Sequence, residues 1–152
     1  MVKSIYLYNN FNLKPQHKAS IILIGNFDGV HLGHQKLFKL ANVYKKKYSL
    51  KLGVLTFEPM PKMYFNKNIK NFRISNQKQK IKLLNKLNVD FVITKKFNKD
   101  FSKTLSTEFI ENILKKKLKA KFIFVSNNFR FGNQRKGNVK QLIKYEKKCH
   151  YK

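Results

Sequence analysis

Apolar residues in this chain fall into short β-branched runs separated by stretches with helical spacing. Ile21 to Ile24 is such a run and ends at Gly25, and from His34 to Tyr48 apolar side chains recur at Leu37, Ala41, Tyr44 and Tyr48. That pattern predicts a strand, a loop and a helix. Leu50 to Phe57 reads as a second strand closed by Glu58 and Pro59, Gln77 to Leu87 as a helix with Ile81, Leu83, Leu84 and Leu87 turned inward, and Val89 to Thr94 as a third strand. Ser106 is a candidate N-cap with Glu108 and Glu111 in the early turns. Phe109, Ile110, Ile113, Leu114 and Leu118 form the buried stripe of that helix, and Lys115 to Lys119 put cations near its end. Lys121 to Val125 is a fourth strand, and Val139, Leu142, Ile143 and Tyr145 suggest a final helix after a polar loop.

Strands separated by helical segments call for right-handed crossovers and a parallel sheet covered on both faces, so the expected class is α/β, doubly wound. In such sheets ligands bind beyond the carboxyl ends of the strands, which predicts that the loops after Ile24, Phe57 and Val125 share one site. No repeat, Pro/Gly/Ser linker or break in composition interrupts the chain, and residues 1–152 read as one domain.

Composition narrows the partners. Of 152 residues 42% are hydrophobic, enough for one core, yet no run approaches a membrane span of about 18 residues. The N-terminus lacks the pattern of a signal peptide, and the lone Cys149 closes no internal disulfide, so a cytoplasmic protein without membrane contact is expected. A net charge of +27 attracts polyanions, but the lysines are spread over nearly every predicted helix. A dedicated nucleic-acid binder would gather them on one face among aromatics, and compositional drift is the preferred reading. Oligomeric state is left open.

The candidate chemistry starts in the first loop, Gly25-Asn26-Phe27-Asp28-Gly29-Val30-His31-Leu32-Gly33-His34, which runs into a helix. Glycines permit a tight backbone path, and the helix start offers unpaired N–H groups and a positive dipole to a phosphate. His31 and His34 flank Gly33, where imidazoles can donate hydrogen bonds to a triphosphate. Core or capping histidines are one alternative; a metal site with Asp28 is another, although two His and one Asp make an incomplete zinc set.

This loop closely resembles the signature of the bacterial bifunctional riboflavin kinase/FMN adenylyltransferase family, whose adenylyltransferase half is an H-x-G-H nucleotidyltransferase with a Rossmann-like fold. Leu55-Thr56-Phe57-Glu58-Pro59-Met60-Pro61 resembles the family's T-F-x-P-H-P turn, with Met60 in place of histidine, and Arg73-Ile74-Ser75 resembles its R-[LI]-[ST] segment. Val125 to Gly137 resembles V-G-x-[DN]-F-x-F-G-x-x-R-x-G, with Ser126 in place of a glycine. The two phenylalanines around Arg130 read as exposed, which favours a binding loop there over ordinary loop chemistry.

The resemblance implies transfer of AMP from ATP to FMN, giving FAD and pyrophosphate, with Mg²⁺ accompanying ATP and no metal held by the protein. It makes His31 and His34 catalytic and places nucleotide at Gly25, Asn26, Phe27, Asp28, Gly29, Gly33 and Asn128. Flavin contacts are implied for Phe57, Pro59, Pro61, Phe65, Arg73, Ser75, Asn128, Phe131 and Arg135. The family's module continues into a further strand and an S-S-x-x-I-R-type phosphate-binding segment, so on this reading residues 1–152 lack its last elements and carry no riboflavin kinase domain. A decayed or truncated flavin- or nucleotide-binding domain, or a basic RNA-binding domain, is the alternative.

Overall fold

The structure, a computed structural model, describes residues 4–28, 32–66 and 76–152. Its main sheet contains β1 (Tyr6–Tyr8), β2 (Ile21–Ile24), β3 (Leu52–Glu58), β4 (Phe91–Lys96) and β5 (Phe122–Phe124), in the order β1-β4-β3-β2-β5. Every pairing in it is parallel. The crossovers are carried by α1 (Leu32–Tyr48), α2 (Pro61–Phe65), α3 (Gln77–Lys86), α4 (Lys99–Ser102) and α5 (Ser106–Glu108), the last continuing as a π-helical segment over Phe109–Lys117. A short antiparallel pair, β6 (Arg130–Phe131) with β7 (Gly137–Asn138), precedes α6 (Val139–Lys144) and α7 (Glu146–Cys149). The α/β class and parallel sheet expected from the apolar pattern are therefore present.

Alternation along the strands divides the core in two. Ile21, Leu23, Val54 and Val92 face Phe38 and Ala41 of α1 and Leu84 of α3. Ile22, Ile24, Leu55, Phe91 and Ile93 face Phe109, Ile110, Ile113 and Leu114 of the π-helical segment, with Leu142 of α6 and Tyr151 closing that side. Interior strands are buried on both faces, which is why β2 and β3 read as continuous apolar runs.

Polar ties fix the register of these layers. Asp90, buried before β4, accepts a hydrogen bond from the Leu52 N–H at 2.8 Å and pairs with Lys45 Nζ at 2.9 Å, joining the end of α1 to the sheet. Asn76 caps α3 in a reciprocal box: its side chain accepts from the Gln79 N–H at 2.8 Å, and Gln79 Oε1 accepts from the Asn76 N–H at 2.9 Å. Gly53 lies where Phe91 crosses β3, and a Cβ there would stand 2.2 Å from the Phe91 ring.

Some expectations are corrected. Leu105, not Ser106, is the N-cap before α5; its aliphatic side chain has no acceptor for a cap bond, and the Phe109 N–H donates to the Leu105 carbonyl. Tyr48 is 46% exposed and Ile143 58% exposed, so neither belongs to an inward stripe. Tyr48 instead lays its ring against Phe122 at 4.9 Å.

Gly53→Ala should lower the unfolding free energy by about 3 kcal/mol in a urea titration, since the ring it meets is pinned in the sheet interior. Tyr151 donates to the Leu142 carbonyl at 2.5 Å, and burial raises its phenol above the ordinary tyrosine value of 10.0. The neutral form is thus favoured by folding, so its contribution is complete below pH 10 and is lost as pH rises above it. Tyr151→Phe should unfold less steeply than the wild type as pH climbs past 10, read from denaturation midpoints.

Candidate active site

The chain leaves β2 at the carboxyl edge and turns sharply. Gly25 donates its N–H to the Leu55 carbonyl at 3.1 Å, still in register with β3. Phe27 then takes φ 51°, a left-handed backbone rare for a bulky residue, and its ring is only 2% exposed. It packs edge-on to Phe38 at 5.1 Å and to the His34 imidazole at 5.1 Å. Gly25 leaves room for it, because a Cβ there would lie 3.2 Å from the ring. Phe27 therefore shapes the turn from below.

His34 sits in the first turn of α1, half-buried, with Nδ1 shielded from solvent. Asp28, before α1, is half-buried, and Gly33 is exposed. Gly29 and His31 lie outside the described residues, as do Arg73 and Ser75. Asn26 offers its carbonyl to Thr56 Oγ1 at 3.5 Å, and Lys80 Nζ donates to the same hydroxyl at 3.4 Å. Thr94, level with Thr56 on the neighbouring strand, accepts from Gln77 Nε2 at 3.0 Å.

Beyond β3 the chain turns through a cis Glu58–Pro59 bond into α2. Met60 is 2% exposed and takes the Met63 and Tyr64 N–H groups on its carbonyl, so the position where the family pattern has histidine is filled here by a buried apolar side chain. Pro59 and Pro61 are half-buried, while Phe65 is 67% exposed. Phe97 joins Tyr64, Phe65, Phe57 and Phe101 in one aromatic group, with centroid separations from 5.2 to 6.1 Å. Phe57 is 8% exposed and belongs to the base of that group, not to its open surface.

The loop after β5 gives a clearer correction. Phe131 is 8% exposed, stacked on Phe129 at 5.5 Å and set against Phe109 at 5.3 Å. The phenylalanines around Arg130 were expected to be exposed; Phe129 is half-buried, and Phe131 folds inward where Gly137 leaves the space a Cβ would take, 2.6 Å from its ring. Asn128 and Arg135 are exposed, and Asn128 Oδ1 accepts from Ser126 Oγ at 2.9 Å. Gly132, at φ 78°, passes so close to Ser106 that a Cβ would come within 2.8 Å of its backbone, which anchors the loop on the start of α5.

A family model described as FAD synthetase matches residues 13–152. The chain belongs to the FAD synthetase family. Its curated relatives include bifunctional riboflavin kinase/FMN adenylyltransferases of Buchnera aphidicola from Acyrthosiphon pisum, 44% identical over 133 residues, and of Escherichia coli K12, 34% identical over 143 residues. The matches cover 88% and 94% of this chain but 42% and 45% of the relatives, so the chain spans less than half their length. A solved Streptococcus pneumoniae structure, described as a macrolide-efflux protein, superimposes with TM-score 0.80 at 27% identity over 93% of this chain and 55% of its own. That description belongs to the other protein; here no helix among the described residues is long and apolar enough to cross a membrane.

Within this FAD synthetase-family fold, β3, β2 and β5 are consecutive in the sheet and parallel, so the loops after them leave from one edge, as the topology rule requires. Sequence reasoning passed over Phe97 and Phe101, whose i, i+4 spacing was a readable signal, and gave no role to Thr56 or Lys80. A lone buried lysine has no periodic signature. Phe27→Ala should cost about 3 kcal/mol of stability by cavity formation under the turn. The check is a chemical denaturation curve, with Phe27→Leu losing markedly less.

Proposed function

We propose that this chain transfers the adenylyl group of ATP to the phosphate of FMN, forming FAD and releasing pyrophosphate. The observation that carries the reading is the Gly25–His34 turn, which leaves an interior strand at the sheet's carboxyl edge and enters α1 with His34 in its first turn, in a chain of the FAD synthetase family.

An FMN phosphate oxygen attacks the α-phosphorus of ATP in line; the new P–O bond forms as the bond to the bridging oxygen breaks, and pyrophosphate leaves with that electron pair. Catalysis of this kind rests on positioning and charge neutralisation, with no protein nucleophile. His31 and His34 donate hydrogen bonds to the phosphates, and Gly25, Asn26, Asp28, Gly29 and Gly33 shape the nucleotide site around the turn and the start of α1. Mg²⁺ enters with ATP as part of the substrate. Phe27 acts from beneath the turn.

The flavin is assigned to the outer side of the aromatic group. Exposed Phe65 offers apolar surface to a flat ring system, Pro59 and Pro61 stiffen the approach, and Arg73, Ser75, Asn128 and Arg135 supply polar contacts. Phe57 supports this surface from within, and Phe131 packs beneath the loop after β5. The same reading sets the protein in the cytoplasm with its ATP and FMN.

The test is chromatographic detection of FAD after incubating the chain with FMN, ATP and Mg²⁺. Wild-type protein should make FAD, and His34→Ala and His31→Ala should each slow its formation by about a hundredfold or more with the fold intact. Undiminished turnover in both variants, or a wild type that neither makes FAD nor quenches FMN fluorescence, contradicts the proposal.

A further inference from the structure

Four lysines lie along α3, and three of them, Lys78, Lys82 and Lys86, are exposed. Lys80 is 3% exposed. Taking an ammonium group out of water is expensive unless its protons find acceptors, so an inward lysine beside exposed ones needs a local reason. The structure supplies one at the carboxyl edge, where Lys80 Nζ reaches Thr56 Oγ1 at 3.4 Å on the face that also carries Glu58.

The chemistry of this contact has a direction. An ammonium can only donate, so Thr56 Oγ1 accepts from Lys80, and the single hydroxyl proton is left for the Asn26 carbonyl 3.5 Å away. Both separations are at the long end of hydrogen bonding. The carbonyl at the far end belongs to the residue before the left-handed Phe27. Fixing it fixes the peptide plane from which the turn towards Asp28 and α1 departs.

We propose that Lys80 is a positioning residue for the nucleotide site, acting through Thr56 on the Asn26 carbonyl. The chain of contacts joins α3 to the turn assigned to ATP, and it holds a buried positive charge behind that turn. The kinetic consequence rests on the adenylyl-transfer reading; the geometric one does not.

Two measurements on the full chain separate these. In steady-state FAD formation, Thr56→Val and Lys80→Met should each raise KM for ATP by about tenfold, the loss of one charge-assisted link, and leave KM for FMN unchanged. The double variant should be no worse than either single one, because both cut the same chain. Thr56→Ser, which keeps the hydroxyl, should recover most of what Thr56→Val loses. Additive losses, equal rises in both KM values, or a Thr56→Ser as impaired as Thr56→Val would overturn the proposal. In the ligand-free protein, Thr56→Val and Lys80→Met should shift the same amide NMR resonances at Phe27 and Asp28. Resonances unmoved there would overturn the proposal even if FAD is made, whereas a wild type that makes no FAD removes the adenylyl-transfer reading and leaves those shifts to decide the Lys80 chain by themselves.

Discussion

Phe27 holds the chain at φ 51° as it leaves β2, with its ring locked in the core between Phe38 and His34. A left-handed backbone at a bulky residue costs on the order of 1–2 kcal/mol and persists only where the surroundings over-determine it. Here burial of a full aromatic ring offsets the strain. The consequence is geometric: the main chain leaves the core at the sheet edge on its way to α1. His34 is oriented by the same ring, so core packing and site geometry are one arrangement.

Around that turn the edge is built in layers of decreasing burial. Thr56 and Lys80 lie beneath it, the group of Phe57, Phe97 and Phe101 stands to the side of β3 and β4, and Phe65 forms the exposed rim. Met60 fits this picture: a buried thioether fills the space with no polar demand. Lys80 is the buried exception among the lysines of α3.

Much of the fold was legible because buried parallel strands write themselves as apolar runs: Ile21–Ile24 was bounded to the residue, and α3 to within one residue of its end. β1 was not, since Tyr6, Leu7 and Tyr8 form a short edge strand, partly exposed and without alternation to read. At the site, turn residues declared themselves through glycine and histidine spacing, but spacing says nothing of depth. That is why Phe131, expected to be exposed, proved to be core, and why the Lys80–Thr56 contact between distant segments left no local trace.

The most direct measurement is an amide NMR titration of the chain with α,β-methylene ATP and Mg²⁺, which binds without transferring its adenylyl group. Saturable shifts centred on Gly25 to Asp28 and on Leu32 to His34, persisting at high salt, are the result this account predicts. Shifts scattered over the surface lysines and abolished by salt, with the β2–α1 turn unmoved, would contradict it.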